Sequence, residues 1–430
     1  MVPELEGARE TATRALSLLF NPHYGLDAGI GRFKAFYTRD VERFADLSLR
    51  DPSNFYPQLG GMIELSLDTA YRLQGGKPLS QTDDQAPGKI LHQWQNGWNT
   101  PRRMRELFAA GWEPYVNEEG EEEVRYFGAG DTTSGAILTE SSLAKAKESF
   151  YHSTKERDNR LERIWPHIKA AFYHEVNYAD IDGDGLIESI PRNTNMLRYH
   201  TERDSDFAYD LEDGRRPEPP FKHSSNNLIF LAAAREMAWM AELAGEANLV
   251  RESREVFERG WARYMDLFWM EEEGYLSPLV FGVQQERAEI INDEAIDAMY
   301  YGLVDQDRAR RIVDRFMQPD IMTRYGPLTR SRRSTQFAEN GAESYWRGAT
   351  VWPHRVAIAA EAMEGYGYNA EAKVLDRGLG NYFRKAGLAE LSVVDNFGNL
   401  VPYTEDCVPK ACNPQLFAVA AILARTHLGQ

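Results

Sequence analysis

Residues 224–268 read SSNNLIFLAAAREMAWMAELAGEANLVRESREVFERGWARYMDLF. Apolar residues recur at three- and four-residue spacing over 224–244 and again over 247–268, with only a short turn between the two runs. That is the period of two helices, and the short connection makes them antiparallel neighbours. Working outward, the same spacing returns in 58–74, 138–174, 305–317, 350–364, 369–385 and 413–426. Between these runs lie loops rich in Gly, Pro, Asp and Asn, at 20–32, 76–88, 177–194, 209–222, 318–343 and 386–413. Strand-like alternation is scarce; 121–127 and 275–283 are expected to form short hairpin strands within loops. The rhythm of helix, short turn, helix, long loop predicts an all-α fold whose helix pairs close into a ring. No close repeat points to a regular solenoid. No low-complexity linker divides the chain, so a single domain over 1–430 is expected. In such a ring the long loops gather at one end, where a site would be built.

Composition narrows the partners. The 430 residues carry a formal net charge of -17, from 66 acidic and 49 basic side chains, with no Lys/Arg-rich stretch. A chain this acidic is repelled by nucleic acid and by anionic lipid. Neither a basic-then-apolar leader nor a run of 18 apolar residues is present, so neither a signal peptide nor a membrane span is expected. The two cysteines, Cys407 and Cys412, form no metal-binding spacing and suit a reducing compartment, so the cytoplasm is expected. Phe, Trp and Tyr make up 12% of the residues, with 9 Trp and 21 Tyr. Several stand beside charges, as in Tyr37-Thr38-Arg39-Asp40 and Tyr345-Trp346-Arg347. Aromatic faces beside carboxylates and guanidinium groups match a sugar, which has flat C–H faces and a rim of hydroxyls. A small saccharide is therefore the expected partner, with no cofactor.

Four segments concentrate these residue types. They are Phe36-Tyr37-Thr38-Arg39-Asp40, then Pro87-Gly88-Lys89-Ile90-Leu91-His92-Gln93-Trp94 with Trp98 nearby, then Tyr126-Phe127-Gly128-Ala129-Gly130-Asp131, and finally Tyr345-Trp346-Arg347-Gly348 leading to Trp352-Pro353-His354. The Asp residues can act as helix caps, and the Gly-rich turn before Asp131 lacks the Lys of a phosphate loop.

Taken in order, the four segments resemble the α/α-barrel glucosidases of the glycogen-debranching amylo-α-1,6-glucosidase group and the related glycoside hydrolase family 63. The resemblance runs along about 370 residues. It implies an (α/α)6 barrel, a toroid of six helical hairpins, that cleaves an α-glycosidic bond of a glucoside or mannoside with inversion. Without the additional β-domain of large debranching enzymes, the chain resembles the lone barrels that hydrolyse small solutes such as glucosylglycerate and mannosylglycerate. A small or short oligosaccharide substrate is implied.

The resemblance also places the catalytic pair. After Asp182-Gly183-Asp184-Gly185-Leu186, the segment Thr201-Glu202-Arg203-Asp204-Ser205-Asp206 puts Asp204 at the general-acid position. Glu202-Arg203 replace small residues there, and Asp206 is a close rival. Near the C-terminus, Leu388-Ala389-Glu390-Leu391 followed by Pro402-Tyr403 and Cys412-Asn413-Pro414-Gln415 puts Glu390 at the base position. Glu339, in Phe337-Ala338-Glu339-Asn340, is the alternative. One carboxyl must deliver a proton to the leaving oxygen and the other must activate water, so an inverting pair should stand roughly 6.5–9.5 Å apart. Substrate contacts are expected from Tyr37, Arg39, Asp40, Gln93, Asp131, Tyr345, Trp346, Arg347, Gly348 and Trp352, with Trp98 a weaker wall candidate. Asp180, Asp182 and Asp184 resemble half a calcium loop, but Pro191 stands where such a loop needs Glu; a turn held by Asx hydrogen bonds is the other reading. Two further functions stay open: a phosphorylase, with Arg332, Arg333 and Arg347 to hold phosphate, and a sugar-binding barrel without catalysis.

Overall fold

The structure is a computed structural model, and it describes residues 3–30, 33–76, 84–96, 115–116, 120–150, 159–192, 198–405 and 408–426. Among the described residues twelve helices carry the architecture, apart from the short turn Ser344–Arg347. Six alternate ones form an inner ring: α2 (Thr38–Leu49), α4 (Thr132–Phe150), α6 (Ser224–Leu243), α8 (Ile296–Tyr300), α10 (Pro353–Gly365) and α12 (Leu416–Arg425). Each inner helix packs on the next, and α12 returns to α2, so the ring closes. The outer layer is α1 (Ala8–Leu19), α3 (Pro57–Arg72), α5 (Arg160–His174), α7 (Ala247–Phe268), α9 (Gln306–Phe316) and α11 (Asn369–Ala386). This is an (α/α)6 barrel.

The two layers differ as their positions require. In α7 the buried residues Leu249, Ser253, Val256, Gly260, Tyr264 and Phe268 fall at three- to four-residue steps along one stripe. In α6 every residue from Ser224 to Ala234 is buried, because an inner helix faces the outer layer on one side and the ring axis on the other. One apolar cluster extends from Leu5 to Ala424 through both layers.

Short strands precede three of the inner helices. Phe36–Tyr37 (β1) leads into α2 and joins Gln93–Asn96 (β2), Tyr115–Val116 (β3) and Glu122–Tyr126 (β4) in the order β1-β2-β4-β3. Phe221–His223 (β5) leads into α6 and pairs with Leu279–Phe281 (β6). Thr350–Val351 (β7) leads into α10 and pairs with Ser392–Val394 (β8), which pairs with Leu400–Pro402 (β9). These connections therefore collect at one end of the barrel, beside the N-termini of the inner helices. The strands expected at 121–127 and 275–283 form there as β4 and as the Tyr275–Leu276 and β6 pieces. The run expected at 138–174 is two helices, α4 and α5. The shortest inner helix, α8, has only five residues, too few for a periodic signal. Among the described residues no helix is long and apolar enough to cross a membrane.

Candidate active site

At the strand-bearing end lies a cavity of about 390 Å³, its open mouth included. Its charged lining is Arg39 and Asp40 from the first turn of α2, Glu202 and Asp204 from the connection between α5 and β5, and Glu390 from the connection between α11 and β8. Its rings are Phe33, Tyr37, His92, Tyr345, Trp346, Trp352 and Phe417. Ring closure brings together groups from both ends of the sequence.

Arg39 organises one side. Its Nη1 donates to the Thr201 carbonyl at 2.7 Å and its Nη2 to Asp204 Oδ2 at 3.0 Å. Burial works against the guanidinium charge, but the fields of Asp204, Asp131 and Asp40 outweigh it and hold the group above its ordinary pKa. The Asp204 side chain stays about one-fifth exposed (22%). Asp40 does not cap the helix; it is buried in the first turn and accepts from Gln415 Nε2 at 2.9 Å. Burial, offset in part by Arg39, pushes its carboxyl up to about 7.

Glu390 is buried on the other element. Its Oε1 accepts from the Tyr345 hydroxyl at 3.2 Å and its Oε2 from the Cys412 N–H at 3.3 Å, while its own N–H donates to the Cys412 carbonyl at 2.8 Å. Beside it, Trp346 and Trp352 stack with centroids 4.1 Å apart and planes 7° from parallel, and Tyr345 meets Trp352 edge-on at 5.1 Å. The guanidinium of Arg203 lies 4.7 Å from the Trp346 centroid. Both indoles are 2% exposed, so this pair is a packed wall rather than an open platform. Across the cavity Tyr37 meets His92 at 5.6 Å and Phe33 at 5.8 Å. His92 is held neutral by burial, with Arg39 and His200 acting in the same direction; its Nδ1 is buried without a hydrogen-bond partner.

The segment that carries Asp204 is anchored residue by residue. The Thr201 hydroxyl meets that of Ser225 at 2.9 Å. Glu202 accepts from Arg43 at 3.0 Å and from His354 Nε2. Burial would raise the Glu202 carboxyl, but Arg43 and then His354 reverse that and hold it well below the usual carboxylate range. His354 is kept below its ordinary pKa by burial, which Glu202 only partly offsets. A neutral ring meets this carboxylate by carrying its proton on Nε2. Arg203 pairs with Asp293 and Glu294, and Asp293 also takes Arg355 at 2.9 Å. Glu202 and Arg203 thus plug the segment into buried ion pairs.

Several expected contacts fall elsewhere. Gln93 is half-buried in β2, paired with Tyr37 and Tyr126, and does not line the cavity; its neighbour His92 does. Asp131 faces a smaller cavity shared with Arg39, Glu42, Arg43 and Tyr301. Burial raises its carboxyl, and neither oxygen has a hydrogen-bond partner there. Arg347 turns to Asp210 and Glu343, which pair with its Nη1 and Nη2 outside the cavity. Gly348 serves the backbone: a Cβ there would come within 1.8 Å of the Ala338 carbonyl, with which its strand bridges. The rival acids Asp206 and Glu339 are exposed and absent from the lining, and Glu339 accepts from Asn396 at 2.7 Å. Arg332 donates to the Val394 carbonyl at 3.5 Å, and Arg333 lies 3.7 Å from Asp320; neither reaches the cavity. Trp98 lies outside the described residues.

The loop at 180–188 closes on a lysine. Lys222 Nζ donates to Asp182 at 3.0 Å, to Asp184 at 3.0 Å and to Glu188. Asx hydrogen bonds complete it: the Asp184 N–H donates to Asp182 at 3.2 Å and the Leu186 N–H to Asp184 at 3.1 Å. Asp180, Asp182 and Glu188 do come within metal-ligand reach of one another. The ammonium and the guanidinium of Arg263, 3.0 Å from Asp184, already supply cationic partners to Asp182 and Asp184. The calcium set expected from Asp180, Asp182 and Asp184 is therefore not the arrangement found. Glu188 takes the third place, and the Asx reading describes the turn.

Sequence reasoning missed Phe33, His92, Glu202 and Phe417 as cavity residues. His92 and Glu202 stood inside quoted motifs; Phe33 and Phe417 offered only an isolated aromatic in a loop and in a helix.

A helical toroid with paired carboxylates and aromatic walls at its loop end is the architecture of a carbohydrate-active enzyme. Residues 90–392 match the mannosylglycerate hydrolase MGH1-like glycoside hydrolase domain, and the chain belongs to that family; it is a glycoside hydrolase. Among solved structures it is similar to an uncharacterized conserved protein from Thermus thermophilus, at 16% identity and a TM-score of 0.64, covering 97% of this chain and 99% of that one. The family 63 mannosylglycerate hydrolase from the same organism is similar in its complex with glucose, at 15% identity and TM-score 0.63, and with Tris and D-glycerate, also at 15% and 0.63. Each covers 97% of this chain and 99% of its own. No curated protein matches the sequence.

Proposed function

We propose that this hydrolase cleaves the α-glycosidic bond of a small glucoside or mannoside with inversion, Asp204 acting as general acid and Glu390 as general base. One observation carries the reading: Asp204 and Glu390, from distant parts of the chain, line one cavity with a stacked indole pair between their elements. Asp204 delivers its proton to the leaving oxygen as the anomeric carbon takes on oxocarbenium character. Arg39 fixes the orientation of Asp204 through Oδ2. Glu390, oriented by Tyr345 and the Cys412 N–H, accepts a proton from the water that attacks the opposite face. The relative's name points to mannosylglycerate as the first substrate to try, and its complex with glucose adds the glucosyl counterpart to the panel. The cytoplasm is the compartment we propose, on the cysteine count. The test is a panel of α-glucosides and α-mannosides, both glycerates included, followed by anomer-resolved NMR. Release of the β-anomer first supports the proposal; release of the α-anomer first, or no turnover, overturns it.

A further inference from the structure

A second cavity, of about 650 Å³ with its open mouth included, stands beside the first. The two share one wall. His200 lines the second cavity, and Glu202 and Asp204, on the same segment, line the catalytic one. The segment is pinned where the cavities meet: the His200 carbonyl accepts from the Gly130 N–H and from Asn226 Nδ2, both at 2.8 Å. His200 also lies close enough to His92 to weigh on its charge across that wall.

The lining has the two halves that a sugar needs. At the mouth stand three of the molecule's exposed large apolar residues, Tyr178 (45% exposed), Ile181 (51%) and Ile190 (39%). The Tyr178 ring is held nearly parallel to His174, with centroids 5.8 Å apart and planes 12° from parallel. Among the lining residues three polar side chains, each more than nine-tenths buried, have an atom with no hydrogen-bond partner: His200 Nε2, Asn226 Oδ1 and Ser189 Oγ. His200 Nε2 comes only to 3.6 Å of Asp84 Oδ2. Buried polar groups are ordinarily paired, so three such atoms around one cavity mark places for a ligand or for ordered water. They include an amide acceptor, an amphoteric hydroxyl and an imidazole nitrogen, a mixture suited to hydroxyls, which both donate and accept. Ionised ligands are less well matched, because Lys89 and Arg192 are countered by Asp84, Glu175 and Glu188 in the same lining.

We propose that this cavity is a second saccharide site, in which a neutral sugar ring stacks on Tyr178 and its hydroxyls meet His200, Asn226 and Ser189. The loop Asp180–Ile190, folded onto Lys222, is its outer wall and thereby acquires a role that the catalytic cavity does not give it. The choice of a neutral sugar rests on the reading of the chain as a hydrolase of such sugars; the occupancy of the cavity does not.

The test uses the full chain, with D-glucose and D-mannose as probes, by soaking crystals and by isothermal titration. Sugar density against Tyr178 together with a second binding isotherm is expected. Tyr178→Ala should weaken that second isotherm about fivefold, as loss of one aromatic face does, and leave the first isotherm unchanged; Tyr178→Phe should restore it. Density confined to the catalytic cavity, ordered water alone in the second, or binding at crystal concentration only would overturn the proposal. So would a second isotherm indifferent to Tyr178→Ala. Turnover of the α-glycoside panel is scored separately on the same proteins, so a failed second site and a failed hydrolase reading give different results.

Discussion

Two clusters of carboxylates lie on the same long connection between α5 and β5, and they are built for opposite ends. In the loop at 180–188, Asp182, Asp184 and Glu188 converge on the ammonium of Lys222, whose side chain is 4% exposed. A cation fills the centre, and the cluster holds a turn. Some twenty residues later, Asp204 joins Asp40, Glu202 and Glu390 around open space. There Arg39 touches one oxygen of Asp204 from the side, and Glu202 is drawn away to Arg43 and His354. Both stretches read alike as runs of Asp and Glu beside Gly or Ser. The difference lies in whether a basic side chain from another element arrives at the centre. A carboxylate cluster left open keeps its desolvation cost and its capacity for proton transfer; a closed one has exchanged both for rigidity.

The sharpest way to break this comparison is to neutralise the open cluster. Glu390→Gln and Asp204→Asn should each lower kcat about 10²- to 10⁴-fold, the usual contribution of a positioned acid or base. Melting temperatures should change little beside those losses. Steady-state kinetics on the best α-glycoside checks this. Kinetics close to the parent in both variants would make the open cluster as structural as the closed one.

The next effect is a slope rather than a loss. Asp40 is raised from 3.8 to about 7, chiefly by burial. Between those values the folded chain holds a proton that the unfolded chain has released, so this group's contribution to stability is full below about pH 4 and is lost as pH rises to about 7. A difference of that size corresponds to about 4 kcal/mol at most. Asp40→Asn keeps an acceptor for Gln415 and removes the titration. Its stability should therefore fall less steeply than the parent's between pH 4 and 7 in denaturant unfolding. Parallel curves would mean that Asp40 is already ionised at pH 4 and that the open cluster carries no such cost. Glu175 and Glu294, also raised to about 7 by burial, leave a residual slope of the same sign in both proteins.

Removing the cation should turn the closed cluster into a version of the open one. Lys222→Met leaves Glu188, 2% exposed, and the half-buried Asp184 without their ammonium. Breaking a buried pair by deleting one partner costs about 3–5 kcal/mol. Asp182 is 41% exposed and Arg263 remains on Asp184, so about 2–3 kcal/mol is the expectation here. Melting temperature reads the loss, and kcat on a small substrate should stay within about twofold. A variant as stable as the parent would show that the turn's own Asx hydrogen bonds suffice.

How much of this was legible in the sequence follows from the same contrast. The helical spacing of 224–268 and its companions announced the ring, because period and loop length are local properties. Asp204 and Glu390 could be singled out by motif, but not as neighbours; only closure of α12 onto α2 brings their elements round one cavity. Arg347 and Gly348 were misread for the converse reason. A motif gives a residue's place in the chain, whereas Asp210, which shares the guanidinium with the neighbouring Glu343, and Ala338, which excludes a Cβ, lie outside the motif. Lys222 was invisible as the occupant of the Asp-rich loop, since β5 lies about forty residues beyond it. His92 was passed over for Gln93 because a strand register, which sends neighbours to opposite faces, is not fixed by four residues of sequence.

The smallest effect tests the two acids that sequence alone could not set aside. Asp206 and Glu339 sit near the predicted motifs, yet both are exposed and neither lines the cavity. Glu339 accepts a single hydrogen bond, from Asn396. An exposed carboxylate held this way contributes a few tenths of a kcal/mol. Asp206→Asn and Glu339→Gln should therefore change kcat/KM by less than about twofold, and the pH profile of kcat/KM should keep its shape. Distance from the reacting atoms, rather than acidity, is what distinguishes these two residues from Asp204 and Glu390. A loss of a hundredfold or more in Glu339→Gln would mean that the 334–343 connection closes over the substrate and supplies the base itself. The cavity described above would then be the open form of a differently completed site, and Glu390 would keep only its structural bonds to Tyr345 and Cys412.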